Sequence, residues 1–231
     1  MKRQEVKVTE GSIYAALSHA VLSLIEDLAE GEQDIRASSI SPVLLSPAIA
    51  VTTVKRHESI EVYIPSSVGA SEELEIADHR VRITITGPKD YFVHALRLYE
   101  TSFKNVLTVD RGLYLRLGLE TTETGVEFML LYTSDGHLLT LEGERYRVRI
   151  PRVKVAMAFH THPEGHCGLS KQDLESAVDL LTEGGLASGS VTPSCAAVVY
   201  RLGMVNEDDY LSFKAGKGVE GRTIRVATVA L

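Results

Sequence analysis

The stretch VKVAMAFHTHPEGHCGLSKQDLESAVDLL, Val153 to Leu181, decides the fold. Its first part, VKVAMAFH, is a short apolar run, as expected of a buried strand. Pro163 stops that strand. PEGHCGL is a turn, and Ser170 is placed to start a helix. That helix spans SKQDLESAVDLLTEGG, with Leu174, Ala177, Val178 and Leu181 along one side and Gly184-Gly185 as its stop. The local order is therefore strand, tight loop, helix. His160, His162 and His166, three of the eight histidines in 231 residues, fall within seven positions of this stretch, beside Cys167, one of two cysteines.

In a strand, residues i and i+2 point to one face. His160 and His162 thus project together, with Thr161 on the other side. Two imidazoles at a strand end suit zinc, which takes nitrogen donors at about 2 Å. A loop of seven residues between His162 and Ser170 can bring the helix start back to the strand end, where Asp173 supplies an oxygen ligand. Three protein ligands with a water in the fourth place is the open pattern of a catalytic zinc. A bland reading stands beside this one. Ser170 with Asp173 three residues on is close to a capping box, which only starts a helix. An isolated pair of histidines is commonly a surface feature. His166 and Cys167 read as turn residues and Cys195 as a small core residue.

Working outward, SIYAALSHAVLSLIEDLAEG has apolar residues at helical spacing, ended by Gly31. SPVLLSPAIAVTTVKRHESIEVYIP reads as strands broken by proline, and SSVGASEELEIAD as a polar boundary loop. HRVRITITG is a half-buried strand. PKDYFVHALRLYETSF is a helix starting at Pro88, with Phe92, Ala95, Leu96, Tyr99 and Phe103 as its stripe. GLYLRLGLE, VEFMLLY, HLLTLE and RYRVRI read as strands, with a hairpin at Ser134-Asp135-Gly136. SCAAVVYRLG, DYLSFKAG and RTIRVATVAL read as closing strands. The class is α/β, a mixed sheet flanked by helices, with residues 1–80 as an N-terminal α/β extension and 81–231 as the main domain.

Composition narrows the function. The net charge is -7 and no Lys/Arg-rich block occurs, which argues against nucleic acid. No apolar run reaches the ~18 residues of a membrane span, and the N-terminus lacks the apolar core of a secretory signal. Two cysteines form no disulfide framework and suit a cytoplasmic location, although a Cys167–Cys195 bridge stays possible.

The spacing His160-Thr161-His162, seven residues, Ser170, two residues, Asp173 resembles the JAMM (MPN+, JAB-domain) zinc metalloprotease motif H-[S/T]-H-x7-S-x-x-D. Every defined position is matched, and Pro163 stands where that family commonly has a proline. The resemblance covers the motif and its strand–loop–helix directly. It covers residues 81–231 more loosely, through a similar order of elements. It implies a JAMM/MPN-like fold, whose sheet resembles that of nucleobase deaminases, and a Zn2+ held by His160, His162 and Asp173. It also implies a glutamate at the start of an upstream strand that takes the proton from a water on the zinc. Glu127, which opens the apolar strand FMLLY, fits that place better than Glu120, Glu123, Glu142 or Glu144. Ser170 is implied as a donor to the developing oxyanion. The implied reaction is hydrolysis of a peptide or isopeptide bond at the C-terminus of a ubiquitin-like protein. The alternatives are a non-catalytic MPN-like scaffold and a nucleobase deaminase, which lacks its H-x-E and P-C-x-x-C here. A thiol hydrolase built on Cys167 has no His/Asn arrangement in support.

Overall fold

A computed structural model describes residues 4–67, 69–143, 153–163, 165, 167–216 and 221–231. The expected strand at 145–150, together with Glu144 and His166, lies outside them. Among the described residues the chain forms two mixed β-sheets flanked by seven helices, an α/β architecture.

The larger sheet has the order β1 (Gln4–Lys7), β8 (Leu138–Glu142), β7 (Phe128–Thr133), β9 (Val155–Thr161), β10 (Ala187–Val191), β11 (Cys195–Arg201) and β12 (Ile224–Ala230). Only β9 and β10 run parallel. The helix between them is α6 (Lys171–Thr182), so strand, loop, helix and strand make one βαβ crossover. The smaller sheet has the order β4 (Ser71–Ile76), β5 (His79–Ile85), β3 (Ser59–Tyr63), β2 (Ser39–Ile40) and β6 (Val93–His94). The remaining helices are α1 (Glu10–Leu28), α2 (Glu32–Ala37), α3 (Pro47–Lys55), α4 (Leu96–Val109), α5 (Arg111–Thr124) and α7 (Glu207–Lys214).

Helix α1 lies between the sheets, touching β7 and β9 of one and β4 of the other. That explains why Ile13 through His19 are all buried: a helix covered on opposite sides has no polar face. Thr9 and Ser12 cap it reciprocally. The Thr9 hydroxyl also donates to Asp110 at the α4–α5 junction, as does Tyr132 of β7, each at 2.9 Å. A Cβ at Gly11 would stand 2.3 Å from the same carboxylate, so only glycine lets α1 start that close. The other face of the large sheet carries α6 and α7, packed through Ala177, Val178, Leu181, Val199, Phe213 and Ile224.

Several expectations are corrected. The boundary at residue 80 falls inside β5, and residues 4–28 supply an edge strand and a core helix to the large sheet. PAIAVTTVK is helix α3, begun by Pro47 at its first turn. The supposed boundary loop contains β4. Helix α4 begins at Leu96, not Pro88, and Phe92 lies outside it. GLYLRLGLE and DYLSFKAG are the helices α5 and α7, and β10 went unread.

A buried polar joint ties α1 to β11. The Arg201 guanidinium, 2% exposed, donates to Glu26 and to the carbonyls of Gly184, Gly185 and Gly203. Tyr99 of α4 donates to the same Glu26 carboxylate. His19, also buried, has its pKa pushed down to about 4 by burial first, then by the charges of Lys154 and Arg201. The unfolded chain takes up that proton near pH 6.5, the folded chain only near pH 4. Stability therefore falls as pH drops through this window, by about 3 kcal/mol from this one group. Denaturant unfolding at pH 7 and pH 4 should show the slope flattened in His19→Gln. An unchanged slope would remove His19 as its source.

Candidate metal centre

The site is built at the carboxyl ends of β9 and β10. Met157 to Thr161 of β9 oppose Ala187 to Val191 of β10, with His160 beside Ser190 and Thr161 beside Val191. The His162 amide continues the pairing by donating to the Val191 carbonyl at 2.8 Å. Both histidines are thus fixed by backbone bonds. Thr161 faces the opposite side, where its hydroxyl meets that of Thr121 on α5 at 2.6 Å and accepts from the Phe128 amide at 2.8 Å. The alternation expected from the sequence is present, and the Thr161 contacts set the height at which β7 begins.

The two Nε2 atoms of His160 and His162 stand 2.9 Å apart. Asp173 closes the group, its Oδ1 3.3 Å from His160 Nε2 and its Oδ2 3.9 Å from His162 Nε2. Tetrahedral zinc with bonds of about 2.0–2.1 Å needs donor atoms about 3.3–3.4 Å from one another. The three separations bracket that value, and the donors are two imidazole nitrogens and a carboxylate oxygen. These three residues can hold a metal ion. They are the one such group of histidine, cysteine and carboxylate side chains among the described residues.

Asp173 reaches the group through the cap of α6. Its Oδ2 accepts from the Ser170 amide at 2.7 Å, and its own amide donates to Ser170 Oγ at 3.2 Å. Asp173 therefore belongs both to the capping box and to the group that could hold a metal, and the two readings are not rivals. Burial alone would raise the Asp173 carboxyl. The hydrogen bond and charge of His160, then the bonds from Ser170, outweigh it and hold the group well below the usual carboxylate range. Asp173 stays ionised, the form a cation requires. Ser170 Oγ accepts in the cap, and its hydroxyl also hydrogen-bonds the Asp173 carboxylate.

Glu127 stands on the open side. It directly precedes β7, and its carbonyl accepts from the Gly143 amide at 2.8 Å. Its Oε1 lies 4.0 Å from His162 Nε2. Its side chain is 51% exposed, against 14%, 11% and 20% for His160, His162 and Asp173. The three donors form the floor and Glu127 the accessible wall. Glu120 and Glu123 fall on the last turns of α5, and Glu142 ends β8 opposite Phe128.

Two supports hold the loop between His162 and Ser170, and only the second, the Cys167–Cys195 bridge, is among the possibilities open from the sequence. The Ser190 hydroxyl donates to the Gly168 carbonyl at 2.8 Å. Cys167 is joined to Cys195 at the start of β11, with Cα atoms 6.1 Å apart. Cys195 is thus not a core residue, and neither cysteine is a ligand or a free thiol. The pairing of two otherwise isolated cysteines was the signal for the second support. Ser190 gave none, because ASGSV carries too few large residues to read as a strand.

No helix is long and apolar enough to cross a membrane among the described residues. No protein-family model, no curated protein and no solved structure matches the chain.

Proposed function

We propose that the protein is a zinc-dependent hydrolase of the JAMM type, cutting an amide or isopeptide bond at the C-terminus of a ubiquitin-like protein. One observation carries the reading: two imidazole nitrogens and an ionised carboxylate converge at a strand end, with a second, exposed carboxylate 4.0 Å from one of the imidazoles. Three protein donors with an accessible fourth side is the catalytic pattern, whereas a structural zinc is closed by four. The bound metal would polarise a water and the scissile carbonyl.

The chain's own groups supply the rest. Glu127 Oε1 takes the proton of the attacking water and returns it to the leaving amine. The Ser170 hydroxyl, aligned by its bond with the Asp173 amide, donates to the carbonyl oxygen as charge builds there. Asp173 fixes both Ser170 and the ligand floor. The ubiquitin-like substrate rests on the resemblance of the motif and belongs to this proposal; the cytoplasmic location loses its cysteine argument, because Cys167 and Cys195 are paired.

Elemental analysis after dialysis against a weak chelator should find about one zinc per chain. The zinc-loaded protein should then cleave a ubiquitin-like fusion and lose that activity in a strong chelator. A chain that holds no zinc and takes none up on reconstitution would overturn the reading. A chain that holds zinc but leaves such fusions intact would retain the centre and overturn the substrate.

A further inference from the structure

Strand β12 has the composition of an interior strand and the position of an edge strand. Its sequence, IRVATVA, holds one charge, Arg225, and no proline or glycine. Ile224 and Val226 pack with α6 and α7 on one face of the sheet. Ala227, Val229 and Leu231 pack on the main core at the other face. A strand apolar on both faces normally has neighbours on both sides. Here β11 lies on one side only, and β12 ends the sheet among the described residues.

The register shows which backbone groups face outward. The Leu202 amide donates to the Thr223 carbonyl, and the Leu231 amide to the Ser194 carbonyl. In an antiparallel ladder, hydrogen-bonded pairs alternate. Residues 225, 227 and 229 therefore bond to β11, while the amides and carbonyls of Val226, Thr228 and Ala230 point away from it. Thr228 and Ala230 are also exposed. These three residues are symmetric about Thr228.

We infer that β12 pairs with β12 of a second copy, antiparallel, on a two-fold axis through Thr228. Every feature of the strand fits that operator. Thr228 meets Thr228, a favourable cross-strand pair. Val226 meets Ala230 and Ala227 meets Val229, so a branched side chain lies opposite a small one each time. The two Arg225 side chains end far apart, so like charges do not oppose. The three outward residues of each copy supply six backbone hydrogen bonds. The contact is isologous and closes on itself. The other edge of the sheet, β1, does not offer this: it is four residues long and carries Glu5 and Lys7, the usual guard of an edge. The result is a dimer with one continuous sheet, and it does not depend on the activity proposed above.

The register gives a direct test. In a bonded antiparallel pair the Cα atoms are about 5.5 Å apart, within disulfide reach. Under mild oxidation the full chain carrying Thr228→Cys should cross-link to a covalent dimer. Val226→Cys should not, because its two copies would be offset by four residues, about 14 Å. Sedimentation of the native chain over a concentration series should show a monomer–dimer equilibrium. Thr228→Pro should weaken it at least tenfold, since proline removes only an outward amide. If that variant fails to fold, Thr228→Lys, which sets two ammonium groups face to face, should do the same. A native chain that is monomeric at every concentration would overturn the inference. So would equal cross-linking at positions 226 and 228, or dimerisation undiminished in a folded variant.

Discussion

Glu127→Gln is expected to lower turnover by ~10^2–10^4-fold, the usual worth of a positioned general base, while leaving bound zinc close to one per chain. The geometry separates the two effects. Glu127 Oε1 is 4.0 Å from His162 Nε2, while the His160, His162 and Asp173 donors close on one another without it. Its side chain is half exposed, so the neutral amide replaces it without leaving a buried cavity or an unpaired charge. Glutamine keeps the length and one oxygen but cannot hold a proton from an attacking water. Turnover on a ubiquitin-like fusion and zinc content should be measured on the same sample. Full activity would show that another group is the base. Loss of zinc together with activity would instead make Glu127 a fourth ligand, and the centre a closed one.

The convergence of His160, His162 and Asp173 was legible because each of its parts is local. The face shared by His160 and His162 follows from the two-residue period of a strand. Asp173 is held three residues from Ser170 by the first turn of a helix. Only the return of α6 onto β9 is tertiary, and a seven-residue loop leaves it little choice. The misread elements have the opposite character. In α5, Leu113, Leu115, Leu117 and Leu119 alternate as a strand would. The buried residues are Tyr114, Leu117, Gly118 and Thr121, a helical set chosen by contacts with Phe159, Pro193 and Thr161. In α7 the alternation of Leu211, Ser212, Phe213 and Lys214 hid a start signal that was present: Asn206 accepts from the Asp209 amide at 2.8 Å, and three acidic residues fill the first turn. Strand β4 alternates correctly, but Glu72, Glu73 and Glu75 made it look like a loop. Charge on an edge strand is a safeguard against further pairing rather than a sign of irregular chain. The Ser190 and Cys195 supports join segments 22 and 28 residues from their partners, and no local pattern encodes that.

Asp173→Asn should abolish tight metal binding and leave the fold nearly unchanged, because the two carboxylate oxygens do different work. One accepts from the Ser170 amide at 2.7 Å, which a neutral amide oxygen can still do. The other faces His160 Nε2 at 3.3 Å, where a cation would need the negative charge. The surroundings already favour that charge: despite partial burial, His160 and Ser170 hold the carboxyl well below its ordinary range. Losing a residue that only supports a ligand typically costs 10–100-fold in metal affinity, so losing a ligand should cost at least ~100-fold. Ser170→Ala inverts the pattern. It removes the oxygen that accepts from the Asp173 amide, which should cost about 1 kcal/mol of stability, and leaves all three donors in place. Competition for zinc against a chromophoric chelator, run beside thermal melts of both variants, reads the two effects apart. If Asp173→Asn bound zinc as tightly as the native chain, Asp173 would be a helix-start residue and no more. The metal would then have to be held by the two histidines and some third group, and the case for an open catalytic centre would lose its oxygen donor.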